Sequence, residues 1–186
     1  MAIDLFMKIY TAGEGVGSLG TGNFQSSGSL DARSNELTGK SMELQSFEWS
    51  LNQIGEEQGG RPRSVEHVEH NEFVVTKHVD AHTPLLFEVC AAAAYLWKVK
   101  ILLHDAVRTA DNPNPEPYLA YTMQGVHFAS YSVDSDEGIP VETIGMKYGA
   151  ISVGWKTINH SGNGATDGVI SRGWSNVLDI GGKTAW

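Results

Sequence analysis

Histidines and acidic residues concentrate between positions 66 and 82, and their types could support metal or acid–base chemistry. A metal site needs three or four converging ligands held by supporting hydrogen bonds, and the spacing here shows only proximity along the chain. The two glutamates share one polar segment, whereas a catalytic pair needs two different environments. We therefore predict solvated histidines and no metal, with an enzyme built on His67 and His70 as the alternative. The cluster comprises Glu66, His67, Glu69, His70, His78 and His82.

A glycine pattern near the N-terminus is typical of nucleotide binding. Gly15, Gly17 and Gly20 have the spacing G-x-G-x-x-G directly after a predicted strand. In dinucleotide-binding proteins the last glycine opens a helix whose N-terminus holds the pyrophosphate. Residues 21–34 are instead turn-forming and have no helical apolar period. We predict a glycine-rich loop and no cofactor, and a small enzyme using this loop remains the alternative.

Nucleophilic catalysis has little support in the sequence. No G-x-S-x-G pattern, which marks one large class of hydrolases, is present. The single cysteine, Cys90, falls on the inner face of the predicted helix, where a thiol without an activating base is inert. We therefore predict no catalytic residue, no bound cofactor and no enzyme activity.

The elements that would position these residues are mainly strands. Ile3, Leu5, Met7 and Ile9 share one face, with Asp4, Phe6 and Lys8 on the other, which is the period of a strand. Similar alternation recurs along the chain, with a phase slip at Ser46 that predicts a β-bulge. The predicted strands are 3–10, 42–51, 73–79, 97–103, 118–133, 139–156 and a short one within 169–180.

One helix is predicted over residues 84–96. Thr83 is a suitable N-cap and Pro84 suits the first turn, while Leu85, Val89 and Leu96 recur at helical spacing. The segments 13–40, 55–71 and 111–117 read as long loops. The predicted fold is mainly β, an antiparallel barrel or sandwich with one flanking helix, in a single domain over residues 1–186.

Composition excludes several partner classes. The formal net charge is −9, so nucleic acid and anionic membrane surfaces are not expected partners. A single cysteine permits no intrachain disulfide, which fits a reducing cytoplasm. The N-terminus carries Asp4 and no long apolar run, so no signal peptide is expected. Of the five tryptophans, Trp49, Trp97 and Trp155 are expected in the core or an interface, and Trp174 and Trp186 at a tail anchor.

Five blocks of the sequence resemble, in order, those of the Hcp family, the tube protein of bacterial type VI secretion. The longest block, 68–90, contains Lys77, Asp80, Thr83 and Pro84 at the family's loop–strand–helix motif. The glycine-rich segment 13–40 and DNPNPEP at 111–117 depart from the family pattern. The similar blocks are 3–9, 41–53, 68–90, 139–155 and 171–186.

The resemblance implies a phage tail-tube-like barrel that assembles as a homo-hexamer, with rings stacking into a tube inside a contractile sheath. Its partners would be other rings, the spike protein, sheath and baseplate components, and small effector cargo. The protein would lie in the bacterial cytoplasm before firing and then be secreted without a signal peptide. The family has no catalytic residues or cofactors. A phage-type tail tube protein is the nearest alternative.

The polar segment 55–71 mixes acidic and basic side chains that could pair with a neighbouring ring. Arginine forms bidentate bonds with carboxylates, and the acidic excess of the chain supplies partners. The plain interpretation is a solvated surface loop. The sharper hypothesis is a ring-stacking loop whose charged residues are Glu56, Glu57, Arg61, Arg63, Glu66 and Glu69.

Overall fold

The computed structural model describes residues 3–10, 40–53, 68–105, 117–135, 138–156, 169–176 and 180–183. Within these ranges the chain forms eleven strands and one helix. The elements are β1 Ile3–Tyr10, β2 Ser41–Glu43, β3 Ser46–Glu48, β4 Leu51–Gln53, β5 Val68–His70, β6 Phe73–His78, α1 Thr83–Ala91, β7 Leu96–Asp105, β8 Pro117–Asp134, β9 Val141–Trp155, β10 Ile170–Ser175 and β11 Ile180–Lys183.

The main sheet is antiparallel and closes on itself. Hydrogen bonding passes from β9 to β8, β7, β1 and β2, and from β3 to β6 and back to β9. β10 and β11 extend the sheet from the second half of β9. β4 and β5 form a separate hairpin. A closed sheet has few free edges, so this arrangement protects most of the backbone from pairing with other chains.

The core lies inside this closed sheet, on the face predicted from strand alternation. In β1, Leu5, Met7 and Ile9 are buried while the residues between them are less so. The prediction of a mainly antiparallel β fold with one helix is confirmed. The largest apolar core side chains that are fully buried are Met7, Ile9, Met42, Phe73, Leu86, Leu96, Ile101, Met123, Ile144 and Met146.

The predicted continuous strand over 42–51 is interrupted, and the expected bulge at Ser46 is instead a change of partner. Met42 pairs with Met7 of β1, whereas Phe47 pairs with Val75 of β6. Between them the amide of Leu44 bonds to β1 and that of Gln45 to β6. The phase of the apolar residues slips because the segment passes from one neighbour to another, and this step closes the barrel.

The helix is shorter than the predicted 84–96 and begins differently. α1 spans Thr83–Ala91, with His82 at the N-cap position. Thr83 is not the cap, because its hydroxyl bonds to Glu142 across the barrel. Beyond the helix Ala93 adopts a positive φ of 48°, and Leu96 already belongs to β7.

Two of the short strands, β5 and β11, were not predicted from the sequence. The amide ladder of β5 places residues 68–70 in a hairpin instead of a loop. The short strand predicted within 169–180 is β10, whereas β11, which pairs with it antiparallel, was not predicted. Trp155 and Trp174 are 45% and 37% exposed, so neither belongs to the core. The only described helix, α1, is too short to span a membrane.

Candidate functional site

A buried ion pair links β6 and β9 inside the barrel. Lys77 and Glu142 are directly opposed in the two strands, and both side chains are almost fully buried. The Lys77 ammonium lies 2.5 Å from Oε1 of Glu142. It also donates to the carbonyl of His78 at 2.7 Å and approaches Oδ1 of Asp80 at 3.0 Å. All three ammonium protons therefore have acceptors, as a buried charge requires.

The carboxylate of Glu142 is equally well supplied with donors. Thr83, in the first turn of α1, donates its hydroxyl to Oε1 at 3.0 Å. Tyr131 of β8 donates its phenol to Oε2 at 2.8 Å. Burial, with the hydrogen bond to Glu142 and its negative charge, raises the pKa of Tyr131 to about 12. The pair thus joins three strands and the helix in one hydrogen-bonded cluster.

Asp80 forms the rim of this cluster. Its carboxylate accepts the amide of His82 at 2.8 Å and lies near the Lys77 ammonium. Partial burial acts to raise the pKa of Asp80, but the His82 amide and the Lys77 charge outweigh it and hold that pKa below its ordinary value. The amide of Asp80 in turn donates to the Thr83 hydroxyl at 3.0 Å. These bonds fix the turn that leads from β6 into α1.

Three of the four residues singled out in the sequence motif meet here. Lys77, Asp80 and Thr83 belong to the cluster, whereas Pro84 is exposed in the first turn of α1 and takes no part. The sequence analysis missed Glu142 and Tyr131. The sequence did contain a signal for Glu142. It occupies the same alternating positions as the buried apolar residues of its strand, and Lys77 does the same in β6. Two opposite charges on the buried faces of neighbouring strands predict a cross-strand pair.

The cluster binds a helix to a barrel and has no free catalytic group. Each ammonium proton of Lys77 and each carboxylate oxygen of Glu142 already has a protein partner. A general base needs an accessible lone pair near a substrate, which this arrangement does not offer. We interpret it as a structural brace that sets the position of α1.

The histidines that the structure describes do not converge. His70 lies 3.2 Å from the Tyr148 hydroxyl, and His78 lies 2.6 Å from the Gln45 amide. His82 lies 3.3 Å from Asp80. Across the described ranges no group of three metal-ligating residues is found. His67 and the glycines Gly15, Gly17 and Gly20 lie outside these ranges.

Residues at either end of the hypothetical stacking loop form hydrogen bonds with the barrel. Glu69 is exposed in β5 opposite Asn52, while Glu56, Glu57, Arg61, Arg63 and Glu66 lie outside the described ranges. At the base, Tyr148 of β9 accepts the indole N–H of Trp49 at 2.6 Å and contacts His70. Trp49 and His70, which lie on either side of the β4–β5 connection, are therefore both linked to β9 of the barrel.

Comparisons with known proteins identify the class of this fold. A family model described as "Type VI secretion system effector, Hcp" matches residues 28–155. No curated protein sequence matches the chain. A solved structure titled "Structure of a type six secretion system protein" has a TM-score of 0.71 at 17% identity, covering 97% of this chain and 100% of that one.

Two further solved structures have named sources. Hcp1 from Salmonella typhimurium has a TM-score of 0.62 at 19% identity and 100% coverage of both chains. The secreted protein Hcp3 from Pseudomonas aeruginosa has a TM-score of 0.52 at 18% identity, covering 100% of this chain and 99% of that one. At such identities the likeness establishes the fold.

Proposed function

Because the chain belongs to the Hcp family of type VI secretion proteins, we propose that it is a tube subunit whose six copies form a ring. The family match confirms the resemblance inferred from the sequence blocks. Members of this family are structural proteins and not enzymes, and they are secreted by the type VI system. Stacked rings would form the inner tube, with the whole chain, residues 1–186, as one tube domain.

The main support for a ring is that apolar side chains are exposed near both ends of β9. Trp155 and its register partner Ile170 are 45% and 58% exposed at one end. Phe87 is 59% exposed at the other, packed against Tyr131. Exposed apolar groups in separate places favour contact between copies. Two unlike patches suit head-to-tail contacts, which close into a ring when the rotation divides a full turn.

The stacking of rings is assigned to segment 55–71. Two features support contacts with the next ring. The first is the pair of hydrogen bonds that Trp49 and His70 form with Tyr148. The second is the mixture of charged residues Glu56, Glu57, Arg61, Arg63, Glu66 and Glu69. Each exposed ion pair contributes little, roughly 0.2–1 kcal/mol, but a ring repeats it in every subunit. Salt should therefore weaken stacking more than ring closure.

The remaining partners follow from membership of a secretion tube. They are the spike protein, sheath and baseplate components, and small effector cargo. The net charge of −9 argues against nucleic acid or an anionic membrane as a partner. The subunit would accumulate in the bacterial cytoplasm and leave through the tube.

The experiment measures mass and stacking separately. Light scattering should give a particle about six times 20.2 kDa, and electron microscopy should show rings and tubes.

Residues 56–66 are then replaced with a Gly-Ser linker that spares β5. Rings should persist while tubes and secretion decrease. The matched control replaces residues 107–114 in the same way and should keep both. A monomer at high concentration overturns the ring, and normal tubes without the segment overturn its stacking role.

A further inference from the structure

The outer face of the main sheet carries a cationic groove that the proposed function does not use. In β1 the core residues are Leu5, Met7 and Ile9, so Lys8 and Tyr10 project from the opposite face. There, a groove of about 250 Å³ crosses β1, β7, β8, β9 and β10. Its lining combines lysines, hydroxyl-bearing residues and small residues with the larger side chains of Tyr10, Leu102, His104 and Pro117. The polar and small residues are Lys8, Lys100, Ala120, Thr122, Ser152, Gly154 and Ser171.

Strand register aligns these groups in one row. Lys8 is directly opposite Lys100, Lys100 is opposite Thr122, and Thr122 is opposite Ser152. Ser152 and Ser171 are buried in the groove floor. The Ser152 hydroxyl is already donated to the Thr122 carbonyl at 3.4 Å. The donors available to an anion are therefore the two ammonium groups and the Thr122 hydroxyl.

The lysine pair is unfavourable for folding. Like charges directly opposite in a sheet destabilise it. Burial lowers the pKa of Lys100, and the charge of Lys8 lowers it further. Within the described ranges neither lysine forms an ion pair with a carboxylate. Such a pair in a chain of net charge −9 is an arrangement that an anionic ligand would relieve.

The neighbouring charged groups do not neutralise the pair. Glu43 of β2 is exposed and diagonal to Lys8, since it is paired with Phe6, and no ion pair joins it to Lys8. Asp4 lies four residues from Lys8 along β1, roughly 13 Å away, opposite His104. Lys98 lies over the Tyr10 ring at 4.3 Å and adds positive charge at the other end.

We propose that this groove binds the carboxylates of a short acidic polypeptide segment, with Lys8 and Lys100 as the paired cations and the Thr122 hydroxyl as a further donor. The groove is smaller than the roughly 300–1,000 Å³ of sites that enclose drug-sized ligands, so it suits side chains and not a cofactor. A long polyanion such as nucleic acid is repelled by the net charge of −9, whereas a short segment meets only the local field. The inference concerns one subunit and does not depend on ring formation.

Binding of a fluorescein-labelled oligoglutamate peptide is measured by fluorescence anisotropy on the full chain, in whatever oligomeric state it is purified. Affinity should fall as salt rises. The double variant Lys8→Gln/Lys100→Gln should bind about tenfold more weakly or worse. The matched control Lys147→Gln removes one exposed lysine elsewhere on β9 and should stay within about twofold. An oligoglutamine peptide of the same length should not bind.

Two further arms complete the test. Carbodiimide coupling of the glutamate peptide to the unmodified protein should cross-link it to Lys8 or Lys100, which covers a double variant that fails to fold. Equal binding by the double variant and Lys147→Gln, or cross-links only at other lysines, overturns the proposal. Inorganic phosphate and N-acetylglutamate amide are then compared as competitors. If phosphate displaces the peptide at the lower concentration, the groove holds a compact free anion and the peptide assignment is wrong.

Discussion

Lys77 is the buried cation of the cluster that positions α1, and the stability of this part of the barrel depends on it. Removing one partner of a buried pair leaves the other charge without compensation, which costs about 3–5 kcal/mol. Lys77→Met should therefore lower the free energy of unfolding by about this amount, because Glu142 stays buried with only hydroxyl donors. Urea unfolding at one fixed protein concentration measures it, since assembly also adds stability.

The control for this substitution is an exposed pair on the same sheet. Lys147 lies 3.7 Å from Glu72 and is 60% exposed, so Lys147→Met should change stability by less than about 1 kcal/mol. Replacing both members, Lys77→Met with Glu142→Leu, should recover much of the loss, because no unpaired charge remains. Equal effects of Lys77→Met and Lys147→Met would contradict the brace.

Tyr131 gives the same cluster a signature at alkaline pH. The fold raises its pKa from 10.0 to about 12, so the folded state holds the phenolic proton more tightly than the unfolded state. The resulting stabilisation is complete below about pH 10 and is lost as the pH rises from 10 through 12. Tyr131→Phe lacks this proton and should lose less stability over that range. Urea midpoints of both proteins between about pH 9 and pH 12 measure the difference, and parallel curves would refute it.

At the scale of elements, the end of α1 shows a backbone conformation that its residue does not favour. The amides of Ala93 and Ala94 bond back to Cys90 and Val89, the pattern of a Schellman motif, and Ala93 occupies its left-handed position at φ 48°. Glycine is the usual residue there because it has no Cβ. Alanine can adopt this conformation only at a cost in energy.

Ala93→Gly should therefore stabilise the protein by about 0.5–1 kcal/mol, since strain is relieved at an exposed position. Its neighbour supplies a control of opposite sign. Ala92 has φ −84°, an ordinary helical value, and Ala92→Gly should destabilise by about 0.5–1 kcal/mol. Thermal unfolding of the two variants side by side measures both. Destabilisation by Ala93→Gly would show that the left-handed position carries no strain.

At the scale of the whole molecule, head-to-tail and symmetric assembly give different results in a mixing experiment. Ile170→Asp and Phe87→Asp each place a charge in one exposed apolar patch. If the Ile170 patch of one subunit contacts the Phe87 patch of the next, each variant alone has no intact junction and should not form a ring. In a mixture, the intact patch of one variant can contact the intact patch of the other, so a dimer of one chain of each should form. Ser132→Asp adds the same charge at another exposed position and should keep the ring. Native mass spectrometry measures the masses. Rings in either single variant, or a mixture without a new species, would contradict head-to-tail contacts.

Much of the architecture follows from the sequence alone. Period-two alternation in residues 3–10 and 73–79 predicted the strands, because burial of one face of a strand repeats every second residue. Pro84 predicted the start of the helix to within a residue. The ordered blocks, with Lys77 and Asp80 in the longest, predicted the family that the comparisons confirm. These features are local, so neighbouring residues suffice to encode them.

Only the tertiary structure decided which distant residues meet. Lys77 and Glu142 are 65 positions apart, and their contact depends on the register of β6 against β9. The same holds for the change of partner at Leu44 and Gln45, and for Lys8 against Lys100. The end of α1 was mispredicted because Ala93 adopts a left-handed conformation, which is not expected for alanine. Register between strands is set by the packing of the whole core, because a slip of one residue would turn every buried side chain outward.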